Sequence, residues 1–256
     1  MIRKKQGNIE WLEFELLANE PGIIHGVFLR HGGVSEESFT SLNVLEWGSD
    51  HTENVQKNRA LIVETLKLEK LIAGHQKHGA NVVHVTEQTE PYLQCDGLMT
   101  TQKNWGLMAM HADCQGTILY DPIHKAIATV HAGWRGQVQN IYREVICKMA
   151  HTFGTKPENL LVCISPSLGP QNSEFKHYRD ELPEEFWSFQ IKPTYFDLWA
   201  IAEHQLKGCG VLPHHLEIAR IDTYANPSDF FSYRREKAAG RTEKITGSHG
   251  TVVALS

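Results

Sequence analysis

The chain has 256 residues, 41% hydrophobic and 21% charged, with a formal net charge of −5. That length buries a substantial core without staples, and mild acidity with no long charge run gives neither nucleic acid nor a membrane surface anything to hold. The opening MIRKKQGNIEWLEFELL is charged without an uninterrupted apolar stretch, and no apolar run of roughly 18 residues follows, so a cytoplasmic protein is expected. Five cysteines, at 95, 114, 147, 163 and 209, lie far apart with no Cys-x-x-Cys, which argues against a disulfide framework or zinc ribbon.

In chain order, GIIHGVFLR (22–30) reads as a strand feeding a Gly/Ser-rich loop, HGGVSEESFTSLN. HTENVQKNRALIVETLKL (51–68) reads as a helix, with Val55, Ile62 and Leu66 on one face and Thr52 as its cap. KLIAGHQ and NVVHVTE are short β runs separated by His78-Gly79. A turn with Asp96-Gly97 precedes LMTT, and WGLMAMHADC is a buried strand. GTILYD and KAIATVHA read as a hairpin reversing at Pro122-Ile123, where proline presets φ for the first turn position. Residues 137–150 read as one helix presenting Val138, Ile141, Val145 and Met149. NLLVCISPSLGP is a buried strand ending in a Pro/Gly loop, and 197–207 is a helix capped by Asp197 and stopped by Gly208. LEIARIDTY is a late strand, followed by a loop and a final strand. No repeat or linker interrupts the series, so one domain, residues 1–256, of α+β class with mixed sheets is expected.

The chemistry gathers in HADCQGTILYDPIHKAIATVHAGWRG (111–136). A two-residue turn at Pro122-Ile123 makes Cys114 face His131 across the ladder, with Cβ atoms ~4.5–5.5 Å apart. From the residues alone three readings stay open: a metal site, a thiol–imidazole nucleophile pair, or a small buried hydrophobe beside a core imidazole. His78, next to Gly79 and just before a strand, is a candidate third ligand. His75, His84 and His111 compete with it, and spacing does not separate them.

The motifs VFLRHGGVSEESFTSLNV, NRALI, QKHGANVVHV, CDGLMTT, HADCQGTILYDP, AIATVHAGWRG, SPSLGP and FFSYRR span nearly the whole chain. On them the sequence resembles the YfiH family, also called the laccase-domain, polyphenol oxidase or peptidoglycan editing factor family. The resemblance implies a layered α/β sandwich shared with toxin-type cysteine hydrolases, and a zinc site at His78, Cys114 and His131. It also implies phosphorolysis of adenosine, inosine and methylthioadenosine, with adenosine deamination. Some members are linked instead to peptidoglycan editing, and one family name to copper oxidation. The chain departs from the pattern at Gly116, where proline is usual, at Gln171-Asn172-Ser173, where cysteines are common, and at Gly97 and Met99. Those changes leave the three ligands intact and bear on substrate preference and rate.

Two imidazoles and a thiolate make a three-ligand zinc site with an open position, as catalytic zinc requires. Cys114, His131 and Asp113 are then the catalytic candidates, Asp113 as a proton shuttle or a group orienting a ligand imidazole, against a backbone-bonding role. The expected small-molecule partners are a nucleoside and phosphate. Arg135, at the mouth of the helix beginning near Gly136, is a candidate for phosphate, with Arg30 and Arg59, and Asn43 for substrate; each also has a structural reading. Multicopper oxidation is disfavoured because no His-x-His occurs. The rivals are a metal-free Cys114–His131 amidase or peptidoglycan-editing hydrolase, and a non-enzymatic zinc-binding interaction protein. The sequence does not fix an oligomeric state.

Overall fold

Strands that are apolar on both faces must lie between two layers. In the computed structural model, which describes residues 1–89, 93–240 and 246–256, that demand organises the chain. It opens with β1 (Ile2–Gln6), β2 (Ile9–Glu13) and β3 (Ile23–Phe28). After the helix Thr52–Leu66 come β4 (Lys70–Ala73), β5 (Val82–His84), β6 (Gly97–Thr100) and β7 (Trp105–His111). The hairpin of β8 (Gln115–Asp121) and β9 (Ala126–Ala132) leads through the helices Trp134–Val138 and Ile141–Phe153 to β10 (Leu161–Ile164). A small pair, β11 (Gln190–Lys192) and β12 (Tyr195–Phe196), precedes the helix Leu198–Gly208. Then follow β13 (Leu216–Ile218), the helix Tyr233–Ala238 and β14 (His249–Leu255).

Two six-stranded mixed sheets result, ordered β1-β2-β3-β14-β7-β4 and β13-β10-β8-β9-β6-β5. Between them pack Val27, Leu107, Ile118, Tyr120, Ile127, Cys163 and Val253. The opposite face of the second sheet carries Leu119, Ala128, Val130 and Val162 under Tyr142, Val145, Ala202 and Leu206 of two helices. The outer face of the first sheet carries Phe28, Met108 and Val252 under Ile62 and Leu66. Thus β7, β8, β9 and β14 are buried along their whole length, which is why they read as continuous apolar runs. This layered α+β arrangement with mixed sheets is the one expected from sequence. At one end of the inter-sheet layer the apolar filling gives way to His111, His131, Ser165, His249 and Thr251, all buried. The site lies at that end.

Four expectations need correction. The hairpin turn spans Pro122 to Lys125, so His131 pairs with Gly116 rather than with Cys114. Asp121 explains the longer loop: its Oδ1 accepts from the amides of Ile123 (2.9 Å) and His124 (3.2 Å), and its Oδ2 meets His124 Nδ1 at 2.7 Å. Lys125 then turns back through φ +50. The single helix 137–150 is two helices, broken at Asn140, whose φ of 54 is left-handed and whose side chain caps the second helix through the Arg143 amide. Val138 is consequently 37% exposed and leaves the buried face. Thr52 is the first helical residue, and His51 occupies the cap position without a side-chain bond. The final loop contains the helix Tyr233–Ala238, capped by Ser232; residues 241–245 of that predicted loop lie outside the described residues.

Because Asp121 is fully buried and organises the turn that sets the β8–β9 register, Asp121→Ala is expected to destabilise the protein by about 1–3 kcal/mol, read from the denaturant midpoint.

Candidate metal centre

His131 is the penultimate residue of β9, and its side chain enters the inter-sheet layer with those of Ile127 and Thr129. Cys114 sits just before β8, beyond the ladder, yet its face is the expected one. The register error moved its opposite number by two residues, and side chains two apart share a face. His78 arrives from the loop between β4 and β5, with φ +61. The donor atoms of His78, Cys114 and His131 all lie within 4.8 Å of one another, and no other such group of three His, Cys, Asp or Glu side chains occurs among the described residues. The two imidazoles meet edge to face, centroids 4.8 Å apart. His78 is exposed, Cys114 half-buried and His131 buried, so the cluster opens to solvent on the His78 side.

One carboxylate holds this arrangement together. Asp96, between the buried Cys95 and β6, accepts from the amides of Lys77 (3.1 Å), His78 (2.8 Å) and Gly79 (2.8 Å). Three successive amides around a left-handed residue form a nest for an anion. The same carboxylate takes His131 Nδ1 at 2.9 Å, and the Asp96 carbonyl takes the His131 amide at 2.7 Å. With Nδ1 committed to Asp96, Nε2 of His131 is left as its donor toward Cys114 and His78. Asp96 is nearly fully buried, and although burial favours its neutral form, His131 and the amides hold its pKa below the usual carboxylate range.

Gly133 completes the packing, since a Cβ there would stand 3.0 Å from Cys114 Sγ and 3.0 Å from His78 Cδ2. Burial opposes ionisation of the Cys114 thiol, but contact with His131 and His78 brings its pKa down to about 6. For His131 burial again opposes charge, and Cys114 and Asp96 overcome it, raising the imidazole to about 9. Without metal, therefore, the pair is a thiolate beside an imidazolium. Tetrahedral zinc, with bonds of ~2.0–2.3 Å, places its donors ~3.3–3.8 Å apart, a separation of the same order as the 4.8 Å within which these three donor atoms lie. Two nitrogens and one sulfur suit that ion.

The other candidates fall in different places. His75 stacks on Trp47, His84 packs edge-on against Phe153, and His111 meets Thr251 Oγ1 at 2.7 Å, so none of the three joins the cluster. Asp113, at φ +92, turns its carboxylate to the hydroxyls of Thr223 (2.7 Å) and Ser232 (2.9 Å) and to the Arg234 amide (2.6 Å). Burial raises its pKa despite those bonds. Arg30 donates to the carbonyls of Thr40 and Pro227 and lies over the Phe231 ring. Arg59 donates to Val44 O and pairs with Glu46. Asn43 is fully buried and accepts from the amides of Leu45 and Ser248. Arg135 is exposed, with its guanidinium over the Trp134 ring at 4.4 Å. Asp96 is the residue that sequence reasoning missed as a site residue. Its only signal was a carboxylate in CDGLMTT, which reads more readily as a turn.

In metal-free protein, iodoacetamide is expected to label Cys114 with a midpoint near pH 6, against about 8.5 for an ordinary thiol. The stabilisation from the depressed thiol pKa is lost as pH falls through about 6, and that from the raised imidazole pKa as pH rises through about 9. The ion pair therefore contributes between those limits.

A family model described as multi-copper polyphenol oxidoreductase laccase matches residues 24–254. A Bacteroides thetaiotaomicron protein named purine nucleoside phosphorylase is 32% identical over 247 residues, covering 88% of this chain and 90% of that protein. Purine nucleoside phosphorylase YfiH of Escherichia coli is 27% identical over 223 residues, 83% of this chain and 88% of its own. Among solved structures, YfiH of Bacillus licheniformis superposes with a TM-score of 0.87 over 99% of both chains at 24% identity. YlmD of Geobacillus stearothermophilus gives 0.85, also at 24% identity, over 99% of this chain and 98% of that one. The structural likeness bears on fold, and the sequence matches bear on family. The chain belongs to the YfiH family of laccase-domain proteins.

Proposed function

We propose that the protein is a cytoplasmic, zinc-dependent purine nucleoside phosphorylase acting on adenosine, inosine and methylthioadenosine, with adenosine deamination as a second activity. The observation that carries this reading is the convergence of His78, Cys114 and His131 around one point, open on one side, in a chain whose relatives are named purine nucleoside phosphorylases. No helix among the described residues is long and apolar enough to cross a membrane. Copper receives less support, because oxidation of the multicopper type needs several clustered sites and the described residues gather one such group.

Held by His78, Cys114 and His131, zinc would supply a Lewis acid. The chain's own residues prepare it. Asp96 fixes the tautomer of His131 and the path of the His78 loop, and the low thiol pKa keeps Cys114 as the thiolate a metal requires. Phosphorolysis breaks the bond between ribose C1′ and the base and joins C1′ to phosphate, so the site must also hold an anion. Arg135 suits that task best of the three arginines, being exposed one residue beyond Trp134, whereas Arg30 and Arg59 are committed to carbonyls and to Glu46.

A second reading has its own observation. A thiol near pH 6 beside an imidazolium is also the nucleophile pair of a cysteine hydrolase, which would suit an amidase or peptidoglycan-editing role.

Zinc-loaded protein incubated with inosine is expected to form hypoxanthine only when phosphate is present, and Cys114→Ala or chelation should abolish product. Turnover that survives chelation but not alkylation of Cys114 would favour the hydrolase instead. Asp96→Asn, which replaces an acceptor oxygen by an amide donor, should weaken zinc binding about 10–100-fold in competition with a chromophoric chelator.

A further inference from the structure

Tyr233 is 51% exposed, the one aromatic among the large hydrophobic side chains that the described residues leave in solvent. An exposed aromatic ring is ordinary on a mobile loop, but this one is not on a mobile loop. The residues on both sides of it are tied to Asp113: Ser232 Oγ donates to Asp113 Oδ2 at 2.9 Å, and the Arg234 amide donates to the same oxygen at 2.6 Å. Asp113 Oδ1 takes the Thr223 hydroxyl at 2.7 Å, and its carbonyl takes the Leu168 amide at 2.8 Å. The anchored segments are also joined to one another. The Ser167 amide donates to the Ile221 carbonyl and the Ser167 carbonyl accepts from the Thr223 amide, and Arg235 donates to the carbonyls of Thr223, Tyr224 and Phe230. Asp113 reaches this arrangement only through a φ of +92, a conformation that L side chains rarely adopt.

Asp113 directly precedes Cys114, so the wall it assembles stands beside the metal ligands. None of its hydrogen bonds goes to His78, Cys114 or His131. Its geometry is that of a latch and not of a proton shuttle. What the latch presents, between its two anchor points, is an exposed aromatic side chain on a segment tied to the residue that precedes Cys114. The face of such a side chain holds a flat heteroaromatic ring by stacking.

We propose that Tyr233 is the stacking platform for the purine base, and that Asp113 is the positioning residue that holds it beside the metal ligands. This inference rests on the nucleoside phosphorylase reading. Equilibrium dialysis of inosine against the zinc-loaded protein, without phosphate, tests it separately from turnover. Tyr233→Ala should weaken binding about tenfold, and Tyr233→Phe, which keeps the ring, should restore it to within about threefold. Asp113→Asn should weaken binding to the same degree while keeping its zinc and the shape of the kcat pH profile. Asp113→Gly, which accommodates φ +92 without the carboxylate, should behave likewise and guards against a folding defect in the first variant. The double variant Asp113→Asn/Tyr233→Ala should bind no more weakly than Tyr233→Ala alone, because the latch acts through the ring. Wild-type affinity in Tyr233→Ala overturns the platform. Unchanged inosine affinity in Asp113→Asn, with one limb of the pH profile lost, makes Asp113 a proton carrier instead. If the wild type itself binds no inosine, the phosphorylase reading fails and takes this inference with it.

Discussion

The Asp96 carboxylate is the contact on which the rest of the site depends. It is buried, so it needs hydrogen bonds to every lone pair it can offer, and it finds them in three consecutive amides and one imidazole. Those four donors come from two parts of the chain, the loop before β5 and the end of β9. The loop before β5 is drawn down until His78 reaches the end of β9, and His131 is turned so that one nitrogen alone is free. The backbone of His78 accepts a left-handed φ within the same set of contacts. Removing the carboxylate would leave three amides and a charged ring without their partner.

The stacked sheets put that contact where it can matter. A layer filled by Leu107, Ile118, Ile127 and Val253 is apolar and buried, and its polar end is reached by the ends of β7, β8, β9 and β14. Cys114 stands where β8 begins and His131 where β9 finishes, so the thiol meets the imidazole where burial opposes either charge alone and each is held by the other and, for His131, by Asp96. Low local dielectric makes the thiolate and imidazolium favour one another, and it also makes either one costly alone. Metal binding and nucleophilic chemistry both exploit that environment, which is why the pH behaviour of Cys114 by itself does not choose between them. The third donor, His78, is what a metal site uses and a nucleophile pair does not require.

Much of this was legible in the residues. The apolar runs gave most of the strands, and the pairing of HADC with HAGWRG directed attention to Cys114 and His131. The register was wrong by two residues because Asp121 side-chain bonds extend the turn, an interaction that Pro122 conceals from a reading based on turn preference. The error kept the correct face only because it was even. The break at Asn140 escaped notice because the apolar spacing runs through it, and a left-handed asparagine leaves no periodic trace. Asp96 and the loops gathered by Asp113 were illegible for another reason: their partners are 17 to 121 residues away, and no local pattern records them.

The central claim is that two imidazoles and one thiolate of this chain hold zinc. X-ray absorption at the zinc edge, on purified protein loaded with one equivalent, tests it most directly. The account predicts one sulfur at ~2.3 Å and two imidazole nitrogens at ~2.0–2.1 Å, with the sulfur lost in Cys114→Ala. A first shell without sulfur, or one that Cys114→Ala leaves unchanged, would contradict it.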